Sequence, residues 1–246
     1  MEKYYMKKLI LLVYLSTLTL FAQELSINSE NGIKLYGELS KAKAFDKKKT
    51  VLLLHQFGSD ATSWDALVKQ LLTERYSTLA VDLRGHGKSI LKDGKKIDFT
   101  PDLSTPNKIK ESSKKLDKFY DTANTQDDIS LWIDALEKQG VDTNHLIAIG
   151  SSMGANALIK SLEDIEYRKL VLISIGEIEG AQMLLGISTT PTLYISSIND
   201  ALGSKEHSLD YMPSTLKGKL LLLNGDKHGT ANLAVASDEI LEFVGR

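Results

Sequence analysis

Five residues in the second half of the chain, Gly150-Ser151-Ser152-Met153-Gly154, hold a serine between two glycines in the order Gly-x-Ser-x-Gly. A serine hydroxyl becomes a useful nucleophile only when it is exposed and a neighbouring base takes its proton. The glycines serve the first need: between a strand and a helix they permit a turn so tight that a Cβ at either flanking position would clash. Alone the pattern is weak, arising by chance in roughly one chain of this length in ten at average glycine and serine usage. An ordinary strand-to-helix turn with a capping serine is the competing reading. Here, however, the apolar segment 145–149 precedes the motif and a helical segment, 153–162, follows it. Ser152 is therefore the candidate nucleophile, and Ser151 a bystander.

The base must be a histidine oriented by a carboxylate. Of the five histidines, His228 follows the last apolar strand and precedes the final helix, the position that favours it; its ordinary alternative is a surface histidine capping that helix. His55 and His86 also follow strands, His145 begins one, and His207 lies in a polar helix. For the acid, Asp200 closes the turn after strand 192–198, Glu177 follows the preceding strand as the alternative, and Asp226 would have to fold back on His228 within one turn. Zero cysteines exclude thiolate chemistry, disulfides and iron-sulfur clusters. The histidines are dispersed and no HExxH spacing occurs, so neither a metal nor another cofactor is expected. The stretch 82–89, Asp-Leu-Arg-Gly-His-Gly-Lys-Ser, ends like a phosphate loop but lacks its first glycine and the helix that should follow. Its glycines make a tight turn, with Asp82 and Arg84 bracing loops under the site.

Groups this far apart in sequence need a scaffold that gathers them. Segments 24–30 and 33–40 alternate with period two about Asn31-Gly32, a dipeptide that supplies the positive φ angles of a tight hairpin. Apolar strands follow at 50–56, 76–83, 145–149, 169–175, 192–198 and 219–223, separated by helical patterns at 61–75, 125–139, 153–162, 178–185, 204–216 and 231–244. Thr125 and Asp128 have the spacing of a capping pair. Strands alternating with helices require crossovers, so the expected fold is α/β: a single doubly wound, mostly parallel, eight-stranded sheet with an N-terminal antiparallel hairpin and helices on both faces. In such sheets ligands bind beyond the carboxyl ends of the strands. Residues 90–124 are lysine-rich and poor in large apolar residues: a solvated insertion with a short helix near 108–119, or a lid over a pocket.

The whole sequence of 246 residues is 42% hydrophobic and 25% charged, with a net charge of −2, which excludes fibrous and disordered classes and offers no field to recruit nucleic acid. Lys3, Lys7 and Lys8 precede an apolar run, 9–21, followed by Ala22 and Gln23. That is the pattern of a secretory signal, and the run is shorter than the roughly 20 residues of a membrane span. Residues 1–23 are expected to be a removed signal peptide, and 24–246 an exported domain, periplasmic or secreted, without integral membrane association.

The elbow around Ser152, the Asp82–Ser89 stretch, His55-Gln56-Phe57-Gly58 after another strand, and Asp200 then His228 in that order resemble the α/β-hydrolase superfamily, in its serine-nucleophile, esterase- and lipase-like branch. The resemblance spans essentially the whole mature chain. It implies Ser152 as nucleophile, Asp200 as orienting acid and His228 as base, with an oxyanion hole from the backbone N–H groups of Phe57 and Met153. Two positions depart from the family pattern: Gln56 stands where a glycine is usual, and Ser197 where a glycine often precedes the acid. Only residues 176–190 separate two late strands, too few for the large cap domain of many relatives. What this implies is cofactor-free cleavage of a small carboxylic ester or related acyl bond through an acyl-enzyme. Peptidase, amidase or lipase action on the same fold, or an inactive ligand-binding homologue, are the alternatives.

Overall fold

The computed structural model describes residues 22–246. The expected signal peptide, 1–23, lies outside the described residues except for its last two. Among the described residues the chain runs β1 (Ala22–Asn28), β2 (Ile33–Ser40), β3 (Thr50–Leu54), α1 (Asp65–Thr73), β4 (Ser77–Asp82), β5 (Leu91–Lys92), β6 (Lys95–Lys96), α2 (Pro106–Tyr120) and α3 (Asp127–Lys138). It continues with β7 (Ile147–Ser151), α4 (Met153–Lys160), β8 (Lys169–Ile173), α5 (Ala181–Ile187), β9 (Thr192–Ser197), α6 (Ser204–Tyr211), β10 (Gly218–Leu223) and α7 (Leu233–Gly245).

The strands form one sheet in the order β10-β9-β8-β7-β3-β4-β2-β5-β6, with β1 paired to β2. All pairings from β10 to β4 are parallel, and those of β2 with β1, β4 and β5 are antiparallel. The expected eight strands are all present. The two additional ones, β5 and β6, are two residues each and form a small ribbon inside the 90–124 insertion, where polar composition hid them.

Helices cover both faces because the central strands are apolar on both. Along β3, Val51 and Leu53 face one cluster, with Trp64, Leu67 and Leu71 of the α1 region and Ile240 and Val244 of α7. Leu52 and Leu54 face the other, with Trp132 and Leu136 of α3 and Leu158 of α4. Period-two alternation thus sorts a continuous apolar run into two cores.

Two local expectations need correction. The β1–β2 connection is a four-residue loop closed by Ser29 N–H to Ile33 O, and Gly32 alone of the Asn31-Gly32 pair has positive φ, so it is not a two-residue turn. Thr125 and Asp128 do not form a capping pair: the Thr125 hydroxyl donates to Thr122 O at 2.7 Å, and the Asp128 carboxylate turns inward to Arg84. A buried guanidinium is the stronger competitor for a carboxylate than an exposed N–H.

The 90–124 insertion contains a full helix, α2. Thr105 caps it, Pro106 stands in its first turn, and left-handed Asp121 ends it. Ser112, Leu116 and Tyr120, spaced by four, are its buried face, and the Tyr120 hydroxyl donates to Ile90 O at 2.8 Å.

Candidate active site

Parallel β3 and β7 are neighbours, but the chain leaves β3 towards β4 on one side and returns to β7 on the other. This is the switch point at which an open α/β sheet splays to form a crevice. Ser152 stands at the carboxyl end of β7, between that strand and α4, with φ 49° and ψ −109°. A non-glycine residue in this region is strained by about 1–3 kcal/mol. The strain is held from both sides: Ser152 N–H donates to Ile173 O at 2.8 Å, and Asn156 N–H donates to Ser152 O at 2.8 Å. The flanking glycines are required by contact. A Cβ on Gly150 would lie 2.6 Å from the backbone of Ala155, and one on Gly154 would lie 2.3 Å from Leu54 O.

At the same edge of the sheet, the loop after β10 carries His228, whose Nδ1 lies 2.7 Å from Asp200 Oδ2 in the turn after β9. Asp200 is 8% exposed. Burial pushes its carboxyl up, but hydrogen bonds from His228 and Ser204, with smaller help from the imidazole's charge and Leu202 N–H, outweigh that and hold it below the ordinary carboxylate range. A carboxylate on Nδ1 assigns the proton to that nitrogen and leaves Nε2 with a free lone pair. Of the three carboxylates weighed in the sequence, Asp200 meets the ring, while Glu177 lines the cleft beside the nucleophile. Among the described residues no hydrogen bond joins Ser152 Oγ to His228. Such contacts are often long before substrate binds and tighten with it.

A cleft of about 610 Å³ opens over Ser152. Phe57 and Met153 line it together with Ile109, Lys110 and Lys114 of α2. No hydrogen bond within the described residues uses the backbone N–H of Phe57 or of Met153. Among the described residues both donors are free, and Phe57, Met153 and Ser152 line the same cleft. No group of three or more His, Asp or Glu side chains among the described residues is gathered as a metal site would be.

The sequence profile of the serine aminopeptidase family S33 matches residues 46–176, more than half of the chain and the part that contains the strained serine. The chain belongs to this family of α/β hydrolases. No curated protein matches it. Solved structures similar to this hydrolase include Est1E of Butyrivibrio proteoclasticus with ferulic acid bound, at 18% identity and TM-score 0.67 over 89% of this chain and 97% of that one. A thermophilic esterase of Thermogutta terrifontis with malate bound is 16% identical, at TM-score 0.65 over 91% and 98%. The 2-hydroxy-6-oxo-6-phenylhexa-2,4-dienoate hydrolase of a Rhodococcus strain is 14% identical, at TM-score 0.66 over 93% and 100%. At these identities the likeness is one of fold.

The hydrolase uses its two departures from the family pattern in the same place. Gln56 Nε2 donates to Thr230 Oγ1 at 3.0 Å, and Thr230 N–H donates to Gln56 Oε1 at 3.3 Å. The Ser197 hydroxyl donates to Asn232 Oδ1 at 2.8 Å. Both side chains therefore hold the loop that carries His228. Ser174, itself at φ 52°, adds a third hold by accepting from Gly229 N–H at 2.9 Å.

Sequence reasoning missed Ser174, Ser204 and Asn232. Ser204 had a faint signal, a hydroxyl four residues after the candidate acid at a helix start. Its Oγ donates to Asp200 Oδ2 at 2.5 Å. Ser174 and Asn232 had none, because a single buried polar residue looks like any other until its partners are known.

Asp82 and Arg84 brace loops, as their positions suggested. Asp82 accepts from Ala61 N–H at 2.8 Å and Lys88 N–H at 2.7 Å. Arg84 grips Asp128 with two bonds of 2.7 and 2.6 Å. His55 is fully buried, accepts from Leu83 N–H through Nε2 at 3.0 Å and pairs through Nδ1 with Gln56 O at 2.7 Å. It is a structural clamp under the Phe57 loop.

Proposed function

We propose that this hydrolase cleaves a carboxylic ester, or a related acyl bond, with Ser152 as nucleophile, His228 as general base and then acid, and Asp200 as the carboxylate that orients the ring. The observation that carries the reading is the 2.7 Å contact between His228 and a buried, ionised Asp200 at the sheet edge where Ser152 is strained into the open.

Nε2 of His228 takes the hydroxyl proton as Ser152 Oγ attacks the carbonyl carbon, and the carbonyl π electrons move to its oxygen. The N–H groups of Phe57 and Met153 meet that oxyanion; a donor of this kind is typically worth about a hundredfold to a thousandfold in rate. The start of α4 adds the positive end of its dipole at the same point. The tetrahedral intermediate collapses, His228 returns the proton to the leaving alcohol, and an acyl-serine remains. Water, deprotonated by the same imidazole, then releases the acid. Asp200 stabilises the imidazolium that forms in each half.

The cleft is mixed in character, apolar at Phe57, Met153 and Ile109 and polar at Lys110 and Lys114, which suits a small accessible ester. Leu116 and Tyr120 dock α2 firmly, so it serves as a wall of the acyl site. The family description favours aminoacyl substrates as the second reading. We also infer export: cleavage near Ala22 or Gln23 would leave β1 almost whole, and N-terminal sequencing of the protein from a periplasmic fraction should begin there.

The decisive experiment is covalent labelling by a fluorophosphonate. The folded wild type should be labelled and Ser152→Ala should not; an unlabelled wild type favours a binding protein that keeps the fold without the chemistry. Nitrophenyl esters compared with aminoacyl anilides then decide the bond, and faster turnover of the anilides would overturn the ester reading.

A further inference from the structure

The amide of Gln56 joins two loops that the mechanism needs in register. On its own strand end, Gln56 precedes Phe57, and its carbonyl is tied by the His55 ring, which is itself bonded to Leu83 N–H. On the loop after β10, the Gln56 side chain takes both polar groups of Thr230 that face it, the hydroxyl at 3.0 Å and the N–H at 3.3 Å, and Thr230 is two residues from His228. These partners lie 174 residues apart in sequence. The loops also interlock sterically. Gly229 has φ +61°, and a Cβ there would stand 2.8 Å from Ser151 Oγ and 3.0 Å from the Gln56 side chain. Asp200 fixes which way the imidazole points, but its bond runs to Nδ1 from the far side of the ring. It leaves the approach of the loop towards Ser152 to the three holds on that loop, Ser174 on Gly229 N–H, Ser197 on Asn232 and Gln56 on Thr230, of which only Gln56 also adjoins Phe57. Among the described residues no direct bond between Ser152 and His228 sets that approach either.

Resting on the proposed roles of Ser152 and His228, we infer that Gln56 is a positioning residue: its two bonds to Thr230 set the reach of the His228 imidazole to Ser152 and keep that imidazole in register with the Phe57 N–H. A bidentate amide suits the task because it constrains distance and direction together, and it does so without a charge beside the base. Displacements of about 1 Å in such an arrangement cost about a hundredfold in rate.

The test uses the second-order rate of phosphonylation by a fluorophosphonate, which needs no natural substrate, on the whole protein. Gln56→Gly and Thr230→Val should each slow labelling about tenfold to a hundredfold, while the melting temperature and dichroism report a folded protein. The double variant should be no more than about twofold slower than Gln56→Gly, because that change already removes the one bond that Thr230→Val removes; Thr230→Val alone keeps the residue 230 N–H bond to Gln56 Oε1 and should be the milder single variant. Gln56→Glu keeps an acceptor for the Thr230 groups and should recover most of the rate. Its added negative charge, held against the loop that carries the imidazole, should move the acid limb of the rate–pH profile upward, which a merely structural role would not do. If Gln56→Gly fails to fold, Thr230→Val and the similarly sized Gln56→Leu carry the same comparison. Unchanged rates in the single variants, or penalties that multiply in the double, overturn the inference. A wild type that is never labelled overturns instead the serine-hydrolase reading on which it rests.

Discussion

His228 and Asp200, 28 residues apart in the sequence, meet through Nδ1 and Oδ2 at 2.7 Å, and the same carboxylate oxygen accepts the Ser204 hydroxyl at 2.5 Å. A carboxylate bonded in this way keeps the imidazole proton on Nδ1. Asn can present its NH2 instead and turn the ring to the wrong tautomer. Asp200→Asn should therefore lower ester turnover about a thousandfold to ten-thousandfold with little change in fold. Glu177→Gln, in the cleft wall, should leave turnover within a few-fold. Loss of activity in the second variant but not the first would show that the acid has been misassigned.

The buried histidines should make the protein acid-sensitive. Burial lowers His55 from 6.5 to about 4 and, with repulsion from His55, lowers His86 to about 3. The unfolded chain binds these protons near pH 6.5 and the folded one does not. Stability is therefore unpenalised above about pH 6.5 and falls as pH drops towards 4, with a slope approaching 1.4 kcal/mol per pH unit for each histidine, on the order of that limit. Denaturant midpoints at pH 7.5 and 4.5, about one unit above and two units below the free histidine value of 6.5, measure it. A flat profile would contradict the neutral, bonded state of His55.

The elbow glycines should tolerate no methyl group. At Gly154 the obstacle is a backbone oxygen, Leu54 O, and at Gly150 it is the backbone of Ala155. Neither can move aside as a flexible side chain would. Gly154→Ala should cost at least about 1–3 kcal/mol, a fall of roughly 3 °C or more in melting temperature for a chain of this size. It should also slow labelling of Ser152. A variant with wild-type melting and labelling would mean that the turn is looser than its contacts indicate.

The Arg84–Asp128 pair ties the stretch after β4 to the start of α3, with side chains 2% and 5% exposed. Removing Asp128 leaves the buried guanidinium only the Asp121 carbonyl at 3.0 Å and the half-exposed Asp121 carboxylate at 3.9 Å, so Asp128→Ala should cost about 3 kcal/mol. Replacing both, Arg84→Met with Asp128→Leu, should recover much of that loss. Chemical denaturation of the three proteins is the measurement, and equal penalties for the single and double variants would argue against a buried-charge origin.

Reading along the chain alone established the alternation of strands and helices, the strand-elbow-helix context of Ser152, and a short set of candidate bases and acids. These are legible because apolar periodicity and turn chemistry are local, repeating every two or 3.6 residues within one element. The boundaries of elements moved by a few residues, as at His145, which precedes β7 in a short turn instead of beginning it. Other features were decided only when strands found their neighbours. Asp200 became the partner of His228 because β9 and β10 lie side by side, whereas Glu177 leaves β8 one strand further away. Gln56, where a glycine is usual, turns its side chain to Thr230 because the loop after β10 comes to the end of β3. Asp128, spaced for a cap, went to Arg84 for the same kind of reason. The direction of a side chain in a loop depends on partners tens to hundreds of residues away, and a one-dimensional pattern holds no record of which of them will be near.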